Sequence, residues 1–293
     1  MYRNDRGEYR KRRKKHHIFL WICLIGALVF IIHLKFALPK ALPSYFQSSS
    51  EINSETTGES SVVSEETVQA LEAMAGKEPK VMEILNHPDR YPKRLLESLS
   101  RNPELLDFTL DYPEKKGSSS NNIDLSDKYQ PGQIPLLIQW DEDWGYAAYG
   151  DGIIALDGCG PTCLSMVAVR LTGDSSLNPK AVAEFSEKDG YLDAKTNSTL
   201  WTLMTEGAKK LGLNSHEIPL NETRMARELS QGHLIICSLF PGDFTAVGHF
   251  IVLYDYKDGK FSIRDPNSKI RSGETWSYET LRPQIRNLWV FSS

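Results

Sequence analysis

Hydrophobic positions recur along this chain in three rhythms. Between Ile18 and Phe36 they are almost continuous, interrupted late by His33 and Lys35. A span of about 20 residues crosses a bilayer as α-helix, so this run is just sufficient, with Lys35 able to snorkel at its far end. From residue 65 to 112 they form short i, i+3, i+4 groups: Val68, Leu71 and Met74; Val81, Ile84 and Leu85; Leu95, Leu96 and Leu99; Leu105, Leu106 and Phe108. This spacing predicts four amphipathic helices, started or stopped at Pro79, Pro88, Pro92, Pro103 and Pro113. From Gln133 onward the rhythm changes along the segment. Residues 134–139 predict an edge strand, because Pro135 interrupts an apolar run. Pro161, Leu164, Val167, Ala168 and Leu171 predict a helix beginning beside Cys159. Further helical patterns cover about 178–187, 198–211 and 222–231. Strands are then predicted at 234–240, 250–256, 261–264 and 288–291. Helices precede strands instead of alternating with them, which argues for an α+β domain and against a doubly wound parallel sheet.

Composition divides the chain further. The 293 residues are 40% hydrophobic and 25% charged, enough for a sizeable core. The net charge of −4 conceals an asymmetry. Residues 1–40 carry ten Lys or Arg against Asp5 and Glu8, leaving 24 basic and 36 acidic residues beyond them. An acidic body argues against a nucleic-acid partner, since phosphate binding needs a basic face. The cluster Arg10–Lys15 directly precedes the apolar run, and the positive-inside rule then places the N-terminus in the cytoplasm and everything after Phe36 outside. A cleaved signal peptide is the alternative, and export follows either way. The expected organisation is a basic tail (1–17), a transmembrane helix (18–36), a Ser/Glu/Thr-rich stalk (37–64), a helical region (65–116), a linker (117–132) and a main domain (133–293).

Four cysteines, one of them Cys23 within the apolar run, are too few and too irregular for a disulfide scaffold. Cys159 stands in Asp157-Gly158-Cys159-Gly160-Pro161, at the start of a predicted helix. Unpaired N–H groups there favour thiolate, the nucleophilic form. The flanking glycines leave room for an approaching carbonyl and permit the strained turn of a displayed nucleophile. Cys163 and Cys237 read as core residues. A nucleophilic thiol requires a base and an orienting group. Of seven histidines, His233 and His249 remain after those near the membrane span, in the helical region or in a loop are set aside. His249 is favoured, because a hairpin turning at Asp258-Gly259 returns Asp265 to its side, where the carboxylate can fix the imidazole tautomer. Gln139 offers a side-chain amide to an oxyanion, beside the N–H of Cys159. Trp140, Trp144, Tyr146 and Tyr149 are read either as cleft lining or as cover over the core. Zinc held by Cys159 and Cys163 would need a second ligand pair, and none follows at suitable spacing. No metal and no cofactor are therefore expected.

Gly158-Cys159-Gly160-Pro161-Thr162-Cys163-Leu164, preceded by Gln139-Trp140 and followed by Gly248-His249-Phe250-Ile251-Val252-Leu253 and Arg264-Asp265-Pro266, resembles the bacteriocin-processing cysteine peptidases, family 39 of their class. The likeness covers roughly residues 133–293. It implies a papain-like fold with Cys159 as nucleophile, His249 as general base, Asp265 as orienter and Gln139 in the oxyanion hole. Members that trim double-glycine leaders are cytoplasmic and fused to a transporter, so leader processing is not carried over, and residues 65–116 are additional to the family core. The expected function is a membrane-anchored extracellular cysteine peptidase acting on peptide or protein. Alternatives are a cell-wall peptide amidase with the same catalytic pair, and a non-catalytic peptide-binding module of the same fold.

Overall fold

A computed structural model describes residues 63–120 and 122–293. The expected basic tail, the transmembrane span at 18–36 and the stalk up to residue 62 lie outside the described residues. Among the described residues no helix is long and apolar enough to cross a membrane.

Four helices open the described chain: α1 (Glu65–Ala75), α2 (Val81–Asn86), α3 (Lys93–Arg101) and α4 (Leu106–Lys115). Ser64 caps α1 by accepting from the Thr67 N–H at 3.2 Å. Single turns of 3-10 helix at Pro88–Arg90 and Pro103–Leu105 join the later pieces, each with proline in its first turn, where no N–H is missed. Pro113 behaves differently from expectation. It lies inside α4, where the helix continues through one lost hydrogen bond for its final residues. Leu71, Val81, Ile84, Leu95, Leu96, Leu99 and Leu105 are buried together with Phe108, as their spacing predicts. Phe108 stacks on Tyr146 of the main domain, ring centroids 4.0 Å apart and 6° from parallel, and the Tyr146 hydroxyl donates to the Phe108 carbonyl at 3.0 Å. Aromatic pairs of this kind add about 0.5–1.5 kcal/mol beyond area burial. The helical segment is thus bonded to the domain that follows it, and the described residues belong to one compact unit.

The main domain begins with two short hairpin strands, β1 (Ala148–Tyr149) and β2 (Gly152–Ile153), then α5 (Ile154–Asp157), α6 (Cys159–Thr172) and α7 (Pro179–Lys188). A second small hairpin, β3 (Leu192–Asp193) with β4 (Ser198–Thr199), leads through a 3-10 turn to α8 (Glu206–Lys210). The remainder is β5 (Asn214–Glu217), α9 (Glu222–Ser230), β6 (Leu234–Leu239), β7 (His249–Lys257), β8 (Lys260–Arg264), α10 (Lys269–Ser272), β9 (Thr275–Ser277), α11 (Tyr278–Leu281) and β10 (Ile285–Ser292). One six-stranded sheet has the order β5-β10-β6-β7-β8-β9, with every neighbouring pair antiparallel.

The central strand β6 is buried along its whole length. Leu234 and Ile236 join the core that contains α6, whereas Ile235, Cys237 and Leu239 join the core beside α9. Alternate side chains of a strand point to opposite faces, so this sheet is covered on both. The covered faces explain the continuous apolar run of residues 234–237.

Three segments depart from the sequence expectation. Residues 134–139 form no strand: the Leu137 N–H points to the Met166 sulfur at 3.3 Å, and Gln139 makes one backbone bond, to the Pro266 carbonyl at 2.7 Å. Ile134, Leu137 and Ile138 are buried by packing, without a ladder partner. The expected helix at 198–211 is split into β4, the 3-10 turn and α8, because the Leu200 N–H is drawn to the Tyr191 carbonyl at 2.8 Å. Strands β5 and β9 lie at the two edges of the sheet, and their sequences, Asn-Ser-His-Glu and Thr-Trp-Ser, carry no apolar alternation to announce them.

Candidate active site

Cys159 is the first residue of α6, with Gly158 before it. The turn is unstrained: Gly158 has φ −85° and ψ 14°, so the expected strain is not what requires glycine. Close packing requires it. A β-carbon on Gly158 would stand 2.7 Å from the Ile154 carbonyl oxygen, and one on Gly160 would stand 2.7 Å from the Thr199 hydroxyl. Cys159 is a free thiol and half-buried, whereas Cys163 and Cys237 are fully buried. Burial pushes both of those thiols upward in pKa, away from reactivity.

His249 opens β7 opposite Leu239 of β6 and is 5% exposed. Its Nε2 donates to Asp265 Oδ1 at 2.7 Å. The Cys159 side chain also favours charge on the imidazole. With Nε2 committed to the carboxylate, Nδ1 is the ring nitrogen left for another partner. Burial opposes charge on this ring, but Asp265 and then Cys159 outweigh it and hold the imidazole pKa up at about 9.

Asp265 follows β8 and is wholly buried. Burial alone would raise its pKa; His249 and Arg271 reverse the sign and hold it below the usual carboxylate range. Its two oxygens are separately engaged. Oδ1 accepts from His249 and from the Asn267 N–H at 2.8 Å, and Oδ2 accepts from Arg271 Nε at 2.5 Å. The Asp265 N–H donates to the Ser272 hydroxyl at 2.8 Å. Arg271 and Ser272 both belong to α10, so this short helix is the mount for the carboxylate.

Gln139 is buried and borders the same depression as Cys159 and His249. Its Nε2 donates one N–H to the Ala155 carbonyl at 2.6 Å. A primary amide carries a second N–H, which has no hydrogen-bond partner among the described residues. The bond to Ala155, four residues before Cys159, holds the amide in place.

Two depressions meet at Cys159 and His249, sharing Arg94, Leu156, Val247 and Gly248. One runs toward Arg101 and Arg271, and the other toward Thr199, Trp201 and Arg286. Val247 is 73% exposed beside the pair, and the Arg286 guanidinium lies 5.0 Å over the Trp201 ring and 5.6 Å over that of Phe240.

The other sequence candidates fall elsewhere. His233 pairs with Glu228 at 2.8 Å, and His216 stands opposite Val290 on edge strand β5. Trp144, Tyr146 and Tyr149 are fully buried in the packing, and Trp140 is 9% exposed, so this aromatic loop covers the core. Sequence reasoning missed Asp157, Arg271, Ser272 and every cleft residue contributed by α3. Asp157 lies inside the quoted motif, but nothing in its local sequence indicates that its partner is 63 residues upstream.

Comparison with known proteins gives three findings. No curated protein matches the chain. Among solved structures, the peptidase domain of Streptococcus ComA, a bi-functional ABC transporter involved in a quorum sensing pathway, aligns at 19% identity over 46% of this chain and 90% of that one, with a TM-score of 0.35. The model of the Peptidase_C39 like family matches residues 132–291. That span is more than half of the sequence and includes Gln139, Cys159, His249 and Asp265: the chain belongs to the Peptidase_C39 like family.

Proposed function

We propose that this protein is a cysteine peptidase of papain-like fold, anchored by residues 18–36 with its catalytic domain outside the cell, which cleaves peptide bonds through Cys159, His249 and Asp265. The observation that carries the reading is His249, bonded to a buried carboxylate and lining, together with Cys159, both of two adjoining depressions. Cys159 as thiolate attacks the carbonyl carbon of an extended peptide. The C=O electron pair moves to oxygen, where the Cys159 N–H and the second N–H of Gln139 stabilise it. As the tetrahedral species collapses, the His249 imidazolium gives its proton to the departing nitrogen, and an acyl-enzyme thioester remains. Neutral His249 then takes a proton from water, the hydroxide attacks the thioester, and carboxylic acid leaves as thiolate and imidazolium are restored. Asp265 keeps the ring in the required tautomer and supports its charge throughout.

The test compares full-length wild-type protein with Cys159→Ala, using a thiol-directed probe that carries a short peptide. Labelling and peptide turnover should be lost together in the variant; unchanged labelling would overturn the assignment. Peptidoglycan digested in parallel separates a peptide substrate from a cell-wall amide by the fragments released. A C-terminal epitope tag readable on intact cells tests the orientation, and a tag visible only after permeabilisation refutes it.

A further inference from the structure

The helical segment 65–116 grips the site at two separate places. Arg94 of α3 pairs with Asp157, Nη2 to Oδ1 at 2.5 Å and Nη1 to Oδ2 at 3.2 Å. Asp157 is 9% exposed and stands two residues before Cys159, ending the short helix from which the nucleophile's turn departs. Farther along the segment, Glu104 reaches the opposite side of the triad. Its carboxylate accepts from the Ser268 hydroxyl, from the Lys269 N–H at 2.8 Å and from the Ile270 N–H at 3.4 Å. These are the leading residues of α10, whose Arg271 and Ser272 hold Asp265. Between the two grips, Asn102 Nδ2 donates to the Asn267 carbonyl at 2.6 Å, a carbonyl that also accepts from Trp140 Nε1 at 3.1 Å.

Each chain of contacts therefore starts outside the family domain, which begins at residue 132, and ends on a different member of the triad. Arg94 acts through Asp157 on the placement of Cys159. Glu104 acts through α10 on Asp265 and, through Asp265, on His249. Resting on the peptidase reading above, we propose that residues 93–104 are a clamp that sets the separation of the nucleophile from its imidazole, with Arg94 and Glu104 as positioning residues. Arg94 also borders both depressions, so the same clamp forms one wall of the substrate cleft. A clamp of this design makes the geometry of the Cys159–His249 pair depend on whether the helical segment is docked. An imidazolium favours a neighbouring thiolate only while ring and sulfur are held close.

The charged and titratable groups around this pair are Asp265 and Arg271 behind the ring, Asp157 with Arg94 beside the Cys159 turn, Tyr149 and Cys163 near the sulfur, and Glu97, Arg101, Asp243, Asp151, Lys195 and Arg286 lining the two depressions. None of these is replaced when Glu104 is changed. The experiment measures alkylation of Cys159 by iodoacetamide from pH 5 to pH 10 in the full-length protein, read on the Cys159 peptide by mass spectrometry. Glu104→Ala and Arg94→Met are each expected to slow alkylation at pH 6 at least tenfold relative to wild type. The rates should converge near pH 10, where an ordinary thiol is ionised. Glu104→Gln, which keeps an oxygen for the Lys269 N–H, and Arg94→Lys should recover part of the loss. Should Glu104→Ala fail to fold by far-UV circular dichroism, Glu104→Gln is read in its place against wild type.

A folded variant with a lowered melting temperature but a wild-type pH profile overturns the clamp, because a merely structural contact would behave in that way. A wild-type Cys159 that reacts at pH 6 no faster than free cysteine overturns the nucleophile assignment itself and the clamp with it. The two failures are distinguished by the wild-type curve alone.

Discussion

His249 Nε2 lies 2.7 Å from Asp265 Oδ1, and this contact leaves Nδ1 as the ring nitrogen not committed to the carboxylate. Replacing Asp265 by Asn keeps an acceptor oxygen but removes the charge that does most to raise the His249 pKa. The alkaline limb of kcat/KM is expected to move down from about 9 toward the ordinary imidazole value of 6.5. The same change leaves Arg271 without its carboxylate partner, so stability should fall by roughly 3 kcal/mol or more. A pH–rate profile and a urea denaturation curve on Asp265→Asn check the two effects separately; an unmoved alkaline limb contradicts the assignment of Asp265.

The same contact makes stability depend on pH with a definite sign. His249 is raised on folding from 6.5 to about 9, so its contribution is complete below pH 6.5 and is lost as pH rises through about 9. Asp265 is lowered from 3.8, so its contribution is complete above that value and is lost as pH falls through its depressed pKa. The pair therefore contributes most between about pH 4 and pH 6.5. Unfolding free energies of wild type and His249→Gln, compared at pH 6 and pH 10, should differ by on the order of 2 kcal/mol more at pH 6. A difference independent of pH would show that the ring is not charged in the folded protein.

Gln139→Ala removes the amide without touching Cys159 or His249. On the proposed mechanism this removes one oxyanion donor, and such a loss lowers kcat by about 100- to 1,000-fold. KM and the alkylation of Cys159 by a small reagent should stay close to wild type. Steady-state kinetics with a peptide substrate, run beside iodoacetamide labelling, separate this outcome from a general collapse of the site, in which both would fall.

Gly158→Ala places a methyl group against the Ile154 carbonyl oxygen, a backbone atom that cannot turn away. Overpacking of this kind costs about 1–3 kcal/mol. Relief requires the Cys159 turn to move, so peptide turnover should fall at least tenfold even at temperatures where the variant is fully folded. A melting curve and a turnover assay on the same preparation test this; normal turnover in a destabilised variant would mean the turn relaxes without displacing the sulfur.

Much of the local structure was legible because it is written in short-range patterns. The i, i+3, i+4 groups marked all four helices of residues 65–115, and Pro161 with Leu164, Val167 and Ala168 marked α6. The run Leu234-Ile235-Ile236-Cys237 marked a strand covered on both faces. The turn at Asp258-Gly259, with Asp258 at φ 52° and Gly259 at φ 76°, marked the hairpin that returns Asp265 to His249. Edge strands β5 and β9 were invisible, because a strand with one neighbour and a solvated face needs no apolar alternation. Residues 134–139 misled in the opposite sense: an apolar run reports burial, and burial here comes from packing against α6 without a partner strand.

The sequence by itself determined the chemical parts: a thiol at a helix start, an imidazole at the head of a strand, and a carboxylate at the end of the hairpin that strand begins. Those placements depend on neighbours within a few residues or on one tight turn, and short-range physics is enough to set them. Only the tertiary structure decided what holds the parts in register. Arg94 with Asp157, Glu104 with α10, and Arg271 with Asp265 join segments by charge and hydrogen bonding across folded surfaces, and such contacts impose no periodicity on the chain that makes them.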